Sequence, residues 1–386
     1  MSLSEPLKGV GTLNNLLDVK VLVTGASGFI GKNLACRLQE LPNTQVILFT
    51  RQENKKKLFE LVVTSDMVVH LAGVNRPDSE TDFTYDNIDL TTAVCDAIRS
   101  SGRNIPIIFA SSTQANQPTS YGQSKKLAEQ TVQLLAEETN NSASIFRLPG
   151  VFGKWCKPNY NSVVATFCHN VARNIPVQLS DSESTVDLVY IDDVVNVFID
   201  KLFNMKQGLD WGQVSPIYKL TLGELVEQIR CFDECRTSLI SERVGSGMVR
   251  ALYSTYISYL PKQDFVYNLP KYSDERGVFV EMLKTHDSGQ FSYFTITPGV
   301  TRGAHYHHTK TEKFLVVKGT VRIRFRSLFD GDDFELVVNS ETPQVVDSIP
   351  GWVHDITNKG NDEAIVMLWA NEKFDRENPD CIPCEV

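Results

Sequence analysis

The hydrophobic pattern changes its period along the chain. Largely apolar runs at Val19 to Val23, Gln45 to Thr50, Met67 to Leu71 and Ile105 to Ala110 read as buried strands. Stripes at helical spacing lie between and after them. One holds Ile30, Leu34, Leu38 and Leu41; a second, in a helix starting near Asn87, holds Ile88, Ala93, Val94, Ala97 and Ile98; a third, in SYGQSKKLAEQTVQLLAEE, holds Leu127, Val132, Leu134 and Leu135. Alternating strands and helices predict an α/β doubly wound parallel sheet of Rossmann type. Farther on, Thr221 and Glu224 have capping-box spacing ahead of another helix. MVRALYSTYISYLPK sets Tyr253, Tyr256 and Tyr259 on a helix that Pro261 should end, where they read as packing residues. After Lys262 the helical signal fades. FVYNLPKYSDERGVFVEMLK, FSYFTITPG, KFLVVKGTVRIRFRS, FELVVNS and EAIVMLWANEKF favour strands and predict a small all-β antiparallel barrel. The expected domains are residues 18–262 and 263–386.

Length and composition fit that division. The 386 residues suffice for two cores, and 42% hydrophobic with 22% charged residues suits a globular protein. A net charge of -9 argues against a general nucleic-acid or membrane-surface binder, so an anionic substrate would need local arginines and lysines. No apolar run is long enough to span a bilayer. The leading MSLSEPLKGVGTLNNLLD lacks a basic region followed by an apolar run, so no secretory signal is expected and the stretch reads as a disordered lead-in. Eight scattered cysteines, including the close pairs Cys231/Cys235 and Cys381/Cys384, read as free thiols in a reducing cytoplasm.

The candidate chemistry of the first domain begins at VKVLVTGASGFIGKNLACRLQEL. Strand, tight turn at Gly25, Gly28 and Gly31, and helix start follow in the order a dinucleotide requires. Glycine lets the backbone approach a pyrophosphate, and the helix start offers free N–H groups. The second strand ends at Arg51, where NAD-specific sites place an acidic residue. An arginine there welcomes a 2′-phosphate, so NADPH is the expected cofactor; with Lys55, Lys56 and Lys57 close by, a solvated loop residue is the competing reading. Tyr121 and Lys125, four apart, share a helix face. A phenol ordinarily titrates near about 10, and a neighbouring ammonium lowers that value. Such a tyrosine can give a proton to a carbonyl oxygen as its carbon is reduced. A hydroxyl of Ser111-Ser112-Thr113, ending the fourth strand, would hydrogen-bond the same oxygen.

In the second domain, residues 297–325 read TPGVTRGAHYHHTKTEKFLVVKGTVRIRF. His305 and His307, two apart, share a face of an extended strand. Glu312 returns beside them if a turn separates two antiparallel segments, and PGWVHDITN adds His354. Three imidazoles and one carboxylate suit a divalent transition metal. HxH alone fits two exposed strand histidines equally well.

These motifs resemble known families. TGASGFIG, HLAG, SST and YGQSK are similar to the extended short-chain dehydrogenase/reductase family. That resemblance implies Thr113, Tyr121 and Lys125 as the catalytic trio, with Ser112 able to slide into the place of Thr113. It also implies a cofactor site of Gly25, Gly28, Phe29, Ile30, Gly31, Arg51, Leu71, Ala72, Gly73, Tyr121 and Lys125. RLPGVFGKW resembles the segment beside the nicotinamide and sugar, with Gly150 where the family usually has Asn. The glycines with His305, His307, Glu312 and His354 resemble the paired metal motifs of the cupin superfamily, apart from the adjacent Pro350 and Gly351. DERGVFVE and TRGAH resemble dTDP-sugar 3,5-epimerases, which implies diphosphate binding by Arg276 and Arg302. In those epimerases the position of His305 is a base, and a metal ligand cannot freely act as one.

The pairing of domains resembles bifunctional capsular polysaccharide enzymes. That implies C3 epimerisation of UDP-2-acetamido-2,6-dideoxy-β-L-arabino-hexos-4-ulose and NADPH reduction at C4 to the L-talose product, a precursor of UDP-N-acetyl-L-fucosamine. It also implies zinc, a homodimer and a cytoplasmic enzyme. Competing readings are a dTDP- or GDP-linked ketosugar as substrate, a non-catalytic NADPH sensor with a structural cupin, and an iron dioxygenase.

Overall fold

The computed structural model describes residues 19–75, 83–179, 181–328, 331–377 and 379–386. The lead-in before Val19 lies outside them. The chain divides into two compact units. One runs to Val226 and adds Ser254–Tyr259; the other comprises Glu227–Tyr253 and Leu260–Val386.

In the first unit, β1 (Val19–Thr24), β2 (Thr44–Phe49), β3 (Met67–His70), β4 (Ile107–Ser112), β5 (Ala143–Leu148) and a later strand, Leu209–Gly212, form one six-stranded sheet. Every pairing in it is parallel, in the order β2-β1-β3-β4-β5 and then Leu209–Gly212. This is the doubly wound sheet that the alternating pattern predicts. The order reverses beside β1, and ligands of such sheets bind in the crevice at the carboxyl ends of the strands there. The helices α1 (Phe29–Gln39) and α2 (Lys55–Thr64), with Leu90–Ser101 and Ser120–Thr139, supply the crossovers. Leu58, Val62, Val94, Ile98, Val132 and Leu135 bury against Leu22, Val68, Ile107 and Ile145 of the sheet.

Two helical expectations need correction. Leu127 and Leu134 are exposed, at 47% and 51%, whereas Val132 and Leu135 are buried. The buried face of Ser120–Thr139 runs through Ser124, Lys125, Ala128, Glu129, Val132, Leu135 and Ala136. Leu127 and Leu134 each sit one residue off that stripe, about 100° around the helix. The helix expected from Asn87 instead begins with a π-helical turn, Thr84–Asp89, before Leu90. The capping box forms as its spacing predicts: Thr221 N–H donates to Glu224 Oε2 at 2.7 Å, and Glu224 N–H to Thr221 Oγ1 at 3.1 Å.

The second unit is antiparallel apart from one short pairing. One sheet contains Gly277–Thr285, Gln290–Ile296, Ala364–Ala370, Glu312–Lys318 and Val345–Ser348, with Lys271–Asp274 off its path. The other contains Asp333–Asn339, Thr320–Ser327, Trp352–Asn358, Thr301–Tyr306 and Ile382–Pro383. Their inner faces share a core of Phe294, Ile296, Phe314, Val316, Ile323, Phe325, Ile356 and Val366. Among the described residues the expected barrel therefore takes the form of two sheets face to face, whose strand pairings do not join into one ring. The unit also reaches back past the boundary expected at Lys262. Ile240–Ser241 pairs in parallel with the strand Gly277–Thr285, which ties the stretch before Tyr253 to this sheet.

Candidate functional site

The turn after β1 is shaped by close approach. Gly25 has a φ of +66°, and a Cβ there would lie 2.7 Å from Ala72 N; one on Gly31 would lie 2.3 Å from Gly25 O. Gly28 caps α1 without a side-chain hydrogen bond, and no acidic residue occupies the first turn. Phe29 and Ile30 open that turn. Its N–H groups and positive end are available to an anion, and the narrow turn is a cradle that side chains would fill. Ala26 N–H donates to Phe49 O at 3.3 Å, which brings the end of β2 beside the turn. Arg51 is exposed two residues farther on.

A buried polar chain fixes the opposite wall. Thr91 Oγ1 donates to Asn87 O at 2.6 Å, so it can only accept from His70 Nε2 at 2.9 Å. That leaves His70 Nδ1 to accept from Thr24 Oγ1 at 2.6 Å, while Thr24 Oγ1 accepts from Leu71 N–H and Ala72 N–H. Burial holds the His70 pKa down at about 3, with the charge of Lys125 adding to the effect. Asn87 clamps Val74 through both its amide atoms and donates to Ser124 Oγ, one turn from Tyr121 on the same helix. Gly73 faces this clamp, and a Cβ there would lie 2.6 Å from Asn87 Oδ1.

Tyr121 and Lys125 share the buried face of their helix. Their electrostatics differ from the expected pairing. Burial raises the Tyr121 pKa, and a hydrogen bond with Ser112 pulls only partly the other way. Lys125 Nζ donates to Ala110 O at 2.7 Å and lies 4.5 Å from the centre of the Phe109 ring. Burial lowers its pKa to about 8 against the opposing charge of Glu129. The hydroxyl beside Tyr121 is that of Ser112; Thr113 Oγ1 lies 3.5 Å from Leu148 O. Beneath them, Glu129 accepts two hydrogen bonds from Arg147, at 2.9 and 2.7 Å, and one from Ser111. Apart from the hydroxyls of Ser111 and Ser112, the sequence reading missed these supports, because each needs a tertiary partner.

In the second unit, His305, His307, Glu312 and His354 converge, with candidate ligand atoms all within 4.8 Å of one another. Cys381 and Cys384 do not belong to the cluster. A bulge between Gly303 and His305, with Ala304 at a φ of +59°, leaves His305 directly across from His354. Glu312 comes from the facing sheet. Its Oε2 lies 3.4 Å from both His307 Nε2 and His354 Nε2. The other nitrogens are held from outside: His354 Nδ1 by Ser348 Oγ at 3.0 Å, and His307 Nδ1 by the carbonyl of Asp380. Burial and then the neighbouring His354 lower the His305 pKa to about 4, which keeps its lone pair available. Burial alone would raise the Glu312 pKa, but His307, His354 and the Lys310 ammonium hold it well below the usual value. His307 Nε2 is buried without a hydrogen-bond partner. An orphaned inward nitrogen among oriented imidazoles and a carboxylate fits a divalent ion.

Arg276 and Arg302 both approach Asp274. Arg276 binds it through Nε at 3.1 Å, whereas Arg302 lies at 3.8 Å. Arg302 Nε is buried and unpartnered, and burial lowers the pKa of its guanidinium.

A parallel α/β unit with a glycine turn and a tyrosine–lysine helix, followed by a two-sheet unit with a candidate metal-ligand cluster, has the build of a dinucleotide-dependent oxidoreductase with an added β domain. Comparison with known proteins makes this specific. Residues 21–210 match the NAD dependent epimerase/dehydratase family, and residues 272–382 match the polysaccharide biosynthesis C-terminal domain. A UDP-2-acetamido-2,6-β-L-arabino-hexul-4-ose reductase of Pseudomonas aeruginosa is 53% identical over 368 residues, covering 95% of this chain and 99% of the relative. The crystal structure of the capsular polysaccharide assembling protein CapF from Staphylococcus aureus superposes with a TM-score of 0.88 at 40% identity, covering 95% of this chain and all of that one. A UDP-glucuronic acid 4-epimerase from Bacillus cereus, at 16% identity and a TM-score of 0.55, shares the fold over 62% of this chain. The chain belongs to the family of the UDP-2-acetamido-2,6-β-L-arabino-hexul-4-ose reductase and CapF, enzymes of polysaccharide biosynthesis.

Proposed function

We propose that the chain catalyses two consecutive steps on one nucleotide-linked ketosugar. The C-terminal residues 263–386 invert C3 of UDP-2-acetamido-2,6-dideoxy-β-L-arabino-hexos-4-ulose. The N-terminal residues 18–262 then reduce C4 to give UDP-2-acetamido-2,6-dideoxy-β-L-talose, a precursor of UDP-N-acetyl-L-fucosamine. The observation that carries this reading is the 53% identity to a reductase of that sugar over 95% of the chain.

For reduction, Tyr121 donates a proton to the C4 oxygen. Its raised pKa suits that direction, because the phenol stays protonated at neutral pH. Ser112, already bonded to the phenol, is the second donor to that oxygen in preference to Thr113. Lys125 supplies positive charge beneath the site. When bound, NADPH supplies the reducing equivalent; the turn at Gly25, Gly28 and Gly31, the first residues of α1, Phe29 and Ile30, and the wall at Leu71, Ala72 and Gly73 would hold it. Arg51 would take its 2′-phosphate.

For inversion, the C4 ketone acidifies the C3 proton. A divalent ion, zinc by family resemblance, supplies Lewis acidity at the enolate oxygen when bound. His305, His307, Glu312 and His354 would hold it, and Arg276 with Arg302 would hold the diphosphate. Reduction removes the ketone and freezes the new centre, which draws the reversible inversion forward. A cytoplasmic homodimer completes the proposal.

Incubation of the protein with NADPH and the UDP-4-keto sugar, followed by NMR of the product, tests it. Oxidation of NADPH with appearance of the L-talo product is expected. A product with unaltered C3 would remove the epimerase, and no oxidation at all would remove the reductase.

A further inference from the structure

The four residues from His308 to Thr311 join two candidate metal ligands, His307 and Glu312, and a segment near the C-terminus grips them. The Asp380 carboxylate accepts backbone N–H groups of His308 at 2.8 Å, Thr309 at 2.7 Å and Lys310 at 2.9 Å, and the Thr309 hydroxyl at 3.0 Å. The carbonyl of the same residue holds His307 Nδ1. Next to it, Ile382–Pro383 pairs with His305 and Tyr306, and Cys384 N–H donates to Ala304 O at 2.9 Å. A terminal segment of five residues thus runs along the strand that carries His305 and fixes the ring of His307.

Lys310 is the second unusual feature. It is 7% exposed, and its ammonium lies 2.8 Å from Glu312 Oε1. The other oxygen, Oε2, is the one 3.4 Å from both His307 and His354. The carboxylate is therefore divided: one oxygen goes to a buried cation and the other faces the histidines. A buried ammonium so placed keeps the carboxylate from turning both oxygens inward.

We propose that Lys310 and Asp380 are positioning residues of the C-terminal centre: Lys310 restricts Glu312 to a single ligand oxygen, and Asp380 pegs the connection that carries Lys310 and His307. This rests on the metal-binding reading of the cluster. Three nitrogens and one oxygen already make a four-ligand set, so an ion held there would take a substrate atom only by expanding to five ligands, which requires that Glu312 give no second oxygen. A carboxylate free to bind through both oxygens would compete for the place that the ketone oxygen of the sugar requires.

The test uses the full-length protein, stripped of metal and reloaded with Co²⁺ or Zn²⁺ alone. Affinity is measured by competition with a chromophoric chelator, and ligand number by the visible bands of Co²⁺, which weaken as coordination rises. Lys310→Met should bind Co²⁺ at least as tightly as the parent, with weakened bands, because Glu312 gains its second oxygen. Asp380→Asn should lower affinity about tenfold to a hundredfold, the usual cost of losing an outer partner of a ligand. His354→Ala is the control that removes a ligand outright. Parent affinity and bands in both Lys310→Met and Asp380→Asn, with metal lost from His354→Ala, would overturn the positioning role alone. A parent protein that takes up neither ion would overturn the metal reading and this inference with it. If Asp380→Asn does not fold, the Co²⁺ bands of Lys310→Met decide the matter.

Discussion

Tyr121 and Lys125 lie four residues apart on one helix, whereas Glu312 and His354 come from facing sheets and meet only through strand register. The first centre is local: a strand, a turn and a helix face deliver its groups in sequence order. The second is assembled at a distance, from a bulge at Ala304, a strand start at Glu312, a supporting Ser348 and a carbonyl at Asp380. The local centre depends on its neighbours for electrostatics, and the assembled centre depends on them for geometry. That difference sets what each substitution should cost.

The sharpest way to break the comparison is to silence one centre and watch the other. Tyr121→Phe keeps the ring and removes the proton donor, so C4 reduction should fall about 10²–10⁴-fold. Deuterium uptake at C3 of the ketosugar, followed by NMR, should continue at the parent rate. Loss of that exchange in a folded Tyr121→Phe protein would mean that the centres are not independent.

A somewhat smaller effect separates the two candidate hydroxyls. Ser112→Ala removes the group bonded to Tyr121, and loss of one donor to a developing oxyanion costs about 10²–10³ in kcat. Thr113→Val removes a hydroxyl that faces Leu148 O and should stay within about threefold of the parent, since surface-like losses of this kind are near ±0.5 kcal/mol. The reverse ranking in steady-state kinetics would restore Thr113 to the role its position in the motif implies.

These expectations mark how far the sequence could be read. The parallel sheet, the glycine turn, the tyrosine–lysine helix and the near members of the candidate metal cluster, His305, His307 and Glu312, were legible as a period or a short spacing, and His354 from its own strand-like stretch and its resemblance to a family motif. The exposed faces of Leu127 and Leu134 were not, because one residue of helical phase decides them. The direction of the Tyr121 shift was also missed: spacing puts Lys125 nearby but does not show that its ammonium is spent on Ala110 O and the Phe109 ring. Asp380 carried no local signal, since its partners lie about seventy residues earlier in the chain. Lys310, two before Glu312, had a readable spacing without a readable meaning.

On the assembled side, chelation sharpens the contrast. Removing metal should stop deuterium exchange at C3, while NADPH oxidation persists when the C3-inverted ketosugar is supplied directly. Replacing the support Ser348 by Ala should weaken metal binding about tenfold, toward the low end for an outer partner, because strand register still presents the ring of His354. Unchanged metal affinity in Ser348→Ala would mean that strand register alone orients that histidine.

The smallest expected effect belongs to His70, where the local unit depends on a distant partner after all. Its directional hydrogen bonds require the neutral ring with the proton on Nε2, and burial holds its pKa at about 3, below the ordinary 6.5. Between those values the unfolded chain binds a proton that the folded unit does not. Unfolding is then favoured as pH falls, so the stabilisation is complete above about 6.5 and drains away toward 3. One such group contributes a slope of up to about 1.4 kcal/mol per pH unit. Amide exchange of Val21, Leu22 and Val23, which are fully buried in β1, reads the stability of this unit alone. His70→Gln lowers stability at every pH but cannot titrate, so its protection should fall less steeply from pH 6.5 to 4.5 than that of the parent. Parallel slopes in the two proteins would show that His70 is protonated within the fold, and the tautomer assigned to the Thr91–His70–Thr24 chain would then be wrong.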